Sequence, residues 1–410
     1  MRQRLLFLAH TLPWPPDGGA QIRTYNLLRQ LARGFDVTAL LFVRGKEGLR
    51  QTAATADPLR EFAHVWTAPL PQEHSRSRLW WDHARALATG RAYTHYRYDS
   101  RQYGEHLGRL LAGSRFDIVH VDSLDLARWL PLLAGLPVAC GHHNVESALM
   151  HRRAQARENP VMRRYLAQQA RRLEDTERRW APRVALNVAV SAADRDALLR
   201  IAEGARCEVA PNGVDLDTFA PGPGRDDGIV FVGGTTWFPN LDALHHFGDD
   251  ILPLLRAAGV DVPVRWVGRA TPPQRDAAAR DYGIEMPGYV TDVRPWLRDA
   301  ACFVAPLRVG GGTRLKILDA WAMGKPVVST SIGCEGLAAR DGENILVRDT
   351  PAGFADAIRT VLGDPALRAR LGTAARRTVE RHYGWTASGD VLIEQYRELA
   401  GAPAAVGSVP

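Results

Sequence analysis

The feature that most constrains this chain is one grammar written twice: a short apolar run, a glycine-bearing turn, an amphipathic stretch, then another apolar run. LLFLA (5–9) enters the Pro/Gly-rich loop TLPWPPDGGAQ, then IRTYNLLRQLARG, then DVTALLFV (36–43). After PGPGRDDG (221–228), the most linker-like composition in the chain, IVFVGG (229–234) starts the pattern again. Strand, glycine loop, helix, strand opens a doubly wound parallel unit. Short apolar runs at 116–122, 136–144, 183–191, 262–268, 284–290, 301–305, 326–330 and 344–347 continue the two series. A chain of 410 residues is too long for one ordinary core, so two such units are the expectation.

Composition narrows the partners. Hydrophobic residues make up 46% and charged residues 24%, the values of a soluble globular protein. No run approaches the roughly 18 apolar residues of a membrane span, and the opening apolar run is too short for a signal-peptide core. Cys140, Cys207, Cys302 and Cys334 lack the paired spacing of a metal site and read as reduced thiols of a cytoplasmic protein. The net charge of +7 favours an acidic partner. The arginines are dispersed with no aromatic-rich recognition motif, which speaks against nucleic acid. The arginine-rich stretch 151–183 reads as a solvated helical face, with docking to an anionic membrane surface as the alternative.

PLRVGGGTRLKILDAWAMGKPVVST (306–330) carries the clearest chemistry. Glycines at a helix start let an anion approach backbone N–H groups at the positive end of the dipole. The only lysines are Lys46, Lys316 and Lys325, and two of them lie here in a chain that otherwise uses arginine. Thr313 as cap places Arg314 and Lys316 in the first turn, with Asp319 on the same side of the helix. Cations for phosphates and a carboxylate for ribose hydroxyls suit a nucleotide diphosphate. The plain alternative is a tight turn with a surface Lys–Asp pair.

DGGAQIR (17–23), FDIVH (116–120), GHHNVES (141–147), VS (190–191), PNGVD (211–215), GYVTDVRPWL (288–297) and GGGTRLKILDAWAMGKPVVST (310–330) occur in an order and spacing that resemble the family-4 retaining glycosyltransferases of the GT-B fold. Within that family the nearest likeness is to enzymes of bacterial exopolysaccharide gene sets. The resemblance implies two Rossmann-like doubly wound domains facing across a cleft, with a C-terminal helix crossing back to the N-domain. The expected boundaries are 1–190 for the acceptor-side domain, 191–225 for the linker, 226–382 for the donor domain, 383–401 for the returning helix and 402–410 for a frayed tail. The implied reaction moves a sugar from a nucleotide-sugar donor to an acceptor hydroxyl, with retention, no metal and no cofactor. The acceptor would be a glycan or lipid-linked sugar, in the cytoplasm or at the inner membrane face.

By the same resemblance, donor binding falls to Gly18, Gly19, Gly234, Arg308, Gly311, Gly312, Thr313, Arg314, Lys316 and Asp319. His143 and Asp319 are the catalytic candidates, with His120, His142 and Asn144 on the acceptor side. His142 is the rival of His143 because register at a loop start is open. The family's two glutamates fall here on Gly311 and Asp319, so the first carboxylate is missing. Where relatives place an arginine and a lysine near 233–242, this chain has Trp237, Pro239 and Asn240. Trp237 reads as a packing aromatic, with substrate contact as the alternative. An epimerase-like or non-catalytic member of the fold remains a competing reading. A nucleic-acid-binding protein is the distant one.

Overall fold

A computed structural model describes residues 2–16, 18–44, 57–155, 157–310 and 314–401. The chain divides into two compact units, Met1–Pro211 with Trp385–Pro410, and Asn212–Gly384.

The first unit is built on seven parallel strands: β1 (Arg4–Ala9), β2 (Asp36–Val43), β3 (His64–Pro69), β4 (Ile118–Val121), β5 (Val138–His142), β6 (Leu186–Ala189) and β7 (Cys207–Val209). They lie in the order β3-β2-β1-β4-β5-β6-β7. Leu5 to Ala9 of β1 and Ala39 to Phe42 of β2 have no exposure at all. That is why these strands read as continuous apolar runs rather than alternating ones: helices cover both faces of a parallel sheet. β3 is different. It lies at one edge of the sheet, is exposed or half-buried at all but one position, and lacks the continuous buried run of β1 and β2.

Residues 192–209, expected within a linker, instead form the helix Ala192–Ile201 and β7 of this first unit. Ser191 caps that helix by accepting from the Asp194 backbone N–H at 3.1 Å. The arginine-rich stretch splits into Glu146–Gln155 and Pro160–Trp180. The break is chemical: Asn159 accepts from the Val161 and Met162 backbones, and Pro160 takes the first position, where no N–H is needed. The last helix, Trp385–Gly401, packs on Gly19–Leu31. Gly389 makes that possible, since a Cβ there would stand 2.5 Å from the Gln30 Cβ.

The second unit holds six parallel strands, β8 (Ile229–Val232), β9 (Val264–Val267), β10 (Glu285–Gly288), β11 (Cys302–Ala305), β12 (Val327–Ser329) and β13 (Leu346–Val347), ordered β10-β9-β8-β11-β12-β13. Helix Leu315–Ala322 buries Ile317, Leu318 and Trp321 against Phe303 and Val327. Both sheets therefore reverse direction of growth once, between β1 and β4 and between β8 and β11. In open parallel sheets, ligands bind outside the carboxyl ends of the strands at such a reversal.

Candidate active site

In the second unit the reversal lies between the loops that follow β8 and β11. Lys316, one residue into the helix after β11, donates from Nζ to Asn240 Oδ1 at 2.7 Å, on the helix after β8. The ammonium also stands 4.1 Å from the Phe231 ring centroid. A Cβ at Gly233 would fall 2.8 Å from Nζ and 2.7 Å from Asn240 Nδ2, so a larger residue would displace the pair. Asn240 is thus not only a departure from the family pattern; it aims the lysine. At the neighbouring Gly234 a Cβ would instead meet the Arg269 backbone oxygen at 2.9 Å.

Burial, and to a lesser degree Arg314, lower the Lys316 pKa to about 7. Arg314 precedes the helix, buried, and donates from Nε and Nη2 to Ile332 carbonyl at 3.3 and 3.1 Å. A Cβ at Gly310 would lie 2.9 Å from its guanidinium. Asp319 has a pKa pushed up to about 7 by burial alone. The surface Lys–Asp pair is not formed, because Lys316 turns to Asn240 instead. Arg308 is a weaker candidate than expected: it pairs with Asp242 through two bonds, at 3.2 and 2.9 Å, so its charge is already matched. Trp237 is half-exposed rather than packed away. Gly311, Gly312 and Thr313 lie outside the described residues.

In the first unit the tips of β1, β4 and β5 bring together His10, Asp122 and His143. Asp122 is buried and accepts from Thr24 Oγ1 at 2.6 Å and from His143 Nε2 at 3.2 Å. His10 Nδ1 stands 3.7 Å from the same carboxylate, and His120 Nε2 3.6 Å from its other oxygen. Burial works to raise the Asp122 pKa, yet His143, His120 and His10 around it hold the carboxyl well below the usual range. Burial drives His10 down to about 3, so it faces Asp122 as neutral imidazole. The nearest ligand atoms of His10, Asp122 and His143 all lie within 4.8 Å of one another. Gly141 permits the convergence, since a Cβ there would stand 3.0 Å from the Asp122 carbonyl oxygen.

Of the two neighbouring histidines, His143 faces Asp122 and His142 does not. His142 ends β5, is buried, and bonds Asn187 Oδ1 at 2.9 Å; burial lowers its pKa to about 4. It is a satisfied sheet residue whose edge reaches the neighbouring cavity. His120 does not fit an acceptor role. It has no exposure, bonds Tyr396 Oη at 2.6 Å and stacks on Phe7 at 4.4 Å. The helix Trp385–Gly401 that supplies Tyr396 covers it.

Asn144, beside His143, donates to Glu146 Oε1 at 3.3 Å. It lines a small cavity with Ser123, Asp125, His143, Glu146 and Glu177. Burial, with Asp125 nearby, pushes Glu146 up to about 8, and burial pushes Glu177 up to about 7. Carboxyls that carry a proton near neutrality both donate and accept. Gly18 and Gly19 stand at the start of the first helix, Gly18 as its cap in extended conformation. His10, Thr24, Asp122, Gly233 and Asn240 were not singled out as site residues by sequence. Each follows a strand or sits on the helix after one, and only the strand order shows that they converge.

Two doubly wound parallel units with polar groups gathered at each sheet's reversal define the GT-B class of fold. Sucrose-phosphate synthase from Thermosynechococcus elongatus has this fold, at a TM-score of 0.70 and 17% identity over 97% of this chain and 99% of that one. HepE from Anabaena, solved in complex with UDP, matches at 0.65 and 14% identity over 97% of this chain and 100% of that one. Residues 17–218 match the family described as Glycosyltransferase Family 4, and 226–364 that described as Glycosyl transferases group 1, so the chain carries a domain of each. The D-inositol 3-phosphate glycosyltransferase of Kineococcus radiotolerans is 30% identical over 246 residues, 51% of this chain and only 56% of that relative's length.

Proposed function

We propose that this chain moves a sugar from a nucleotide-sugar donor to an acceptor hydroxyl, with retention at the anomeric carbon and without a metal. The observation that carries the reading is the Lys316 ammonium, enclosed at the reversal of the second sheet and aimed by Asn240. A bound diphosphate restores the charge that burial disfavours. Arg314 adds a second cation beside it, and Asp319 accepts from ribose hydroxyls.

In the first unit His143 orients a sugar or acceptor hydroxyl, and Asp122 fixes its ring by accepting from Nε2. The departing phosphate takes the acceptor proton. The acceptor hydroxyl is that of a glycan or lipid-linked sugar in exopolysaccharide or envelope synthesis. A donor-binding, non-catalytic protein is the second reading, favoured by Gly311 standing where the family carries its first glutamate.

The test is a panel of UDP-, GDP- and ADP-linked sugars, read by thermal stabilisation and then by donor turnover with and without EDTA. The proposal expects one nucleotide series to raise the melting temperature by mass action. It also expects turnover insensitive to EDTA and an α-configured product from an α-linked donor, read by NMR. Stabilisation without turnover supports the second reading; no stabilisation by any nucleotide sugar contradicts both.

A further inference from the structure

The helix Arg76–Thr89 is inside out. A surface helix ordinarily turns charge to water and apolar residues to the core. Here Asp82 is fully buried and accepts from Arg78 Nε at 2.9 and 3.0 Å and from Gln72 Nε2 at 2.7 Å. Arg85 reaches Asp99 at 3.5 Å. Arg78, Asp82 and Arg85 are therefore spent on contacts within the protein. Its outer stripe is Trp80, Trp81, Ala84, Leu87 and Ala88, with Trp80 76% and Trp81 62% exposed.

The start of Pro160–Trp180 lies alongside. His83 Nδ1 shares a hydrogen bond with Tyr165 Oη at 2.6 Å, and Arg172 donates to the Ala86 carbonyl at 2.8 Å. That helix adds exposed Val161 and Met162, then exposed Arg163 and Arg164. The three most exposed large apolar side chains among the described residues, Val161, Trp80 and Trp81, all belong to these two helices.

We infer that this face docks the chain on an anionic lipid bilayer. Tryptophan favours the headgroup zone, and an in-plane amphipathic helix buries its apolar stripe just below it. Exposed Arg91, two residues beyond the first helix, and exposed Arg163 and Arg164 on the second supply the charge that pairs with anionic headgroups. A second copy of the chain fits less well, because a two-fold contact would bring the same arginines together on a chain of net charge +7. No described helix is long and apolar enough to cross a membrane, so the mode is adsorption. The docking surface raised as the alternative for 151–183 is thus proposed for residues 79–91 and 161–164, with tryptophans at its centre. The inference is independent of the sugar-transfer reading, since no residue in it belongs to either candidate site.

The test is co-sedimentation of the full chain with vesicles of phosphatidylcholine alone and of phosphatidylcholine with phosphatidylglycerol. The chain should sediment with the anionic vesicles only. Trp80→Ser/Trp81→Ser should weaken that binding at least about tenfold, and Arg163→Gln/Arg164→Gln by roughly tenfold. Brominated lipid should quench wild-type tryptophan fluorescence more than that of the Trp variant. All variants should keep the wild-type circular dichroism and nucleotide affinity, which separates a docking failure from a donor-site failure. If the tryptophan pair proves needed for folding, the arginine pair carries the test alone. Equal sedimentation with both vesicle types overturns the inference. So does undiminished binding by the variants, or a concentration-dependent dimer that the tryptophan substitutions abolish.

Discussion

Asp122 and Asp319 occupy comparable places, each beside the reversal of its sheet, yet their electrostatics are opposite. Asp122 is surrounded by three imidazoles and a threonine hydroxyl, and its carboxyl stays well below the usual range despite burial. Asp319 has burial alone acting on it and rises to about 7. Partners, not depth, set the charge. The first unit thus holds a fixed anion that positions a histidine, and the second a cation and a carboxyl that both stand near their titration points, ready to respond to a ligand.

The largest expected effects break the first half of that comparison. His143→Ala should lower kcat roughly 100-fold or more and leave nucleotide affinity within error, since it touches positioning and not the phosphates. Asp122→Asn should lower kcat by about tenfold or more, again with nucleotide affinity kept, because the ring loses its charged anchor. A matching loss of nucleotide affinity in either variant would show that the two units do not divide the work this way.

The next effect breaks the second half. Lys316→Ala should weaken nucleotide diphosphate binding by roughly 10- to 100-fold, the range of a charge-assisted contact. A smaller effect sharpens the same point. Lys316 loses its proton above about 7, while a bound diphosphate favours the protonated form. Affinity should therefore fall as pH rises through that range, by up to about tenfold per unit, with net proton uptake on binding. Calorimetry in buffers of different ionisation enthalpy reads the uptake. Asp319→Asn removes the second titration and leaves the lysine's alone. The smallest change is expected from Arg308→Ala: within about threefold in nucleotide affinity, because Asp242 already pairs with that half-exposed guanidinium.

Much of this was legible in the sequence where local pattern suffices. Continuous apolar runs mark strands buried on both faces, and the glycine-rich turn with Lys316 marks the proposed anion site. β3 escaped because this edge strand carries no such run. His120 was misplaced because what buries it, Tyr396, lies 276 positions away. The inverted helix at 76–89 was invisible for a similar reason: its inward charges are satisfied by Gln72 and Asp99, outside the helix. His10 and Asp122 give no local signal either, since only the strand order brings β1 beside β4.

The most direct measurement is calorimetric titration of the wild-type chain and of Lys316→Ala with UDP, GDP and ADP at pH 6.5 and 8.5, values that bracket about 7. The account predicts that one nucleotide binds the wild type, more tightly at the lower pH, and that the variant loses both the affinity and its pH dependence. Binding that is unchanged by the substitution, or that strengthens at the higher pH, would contradict it.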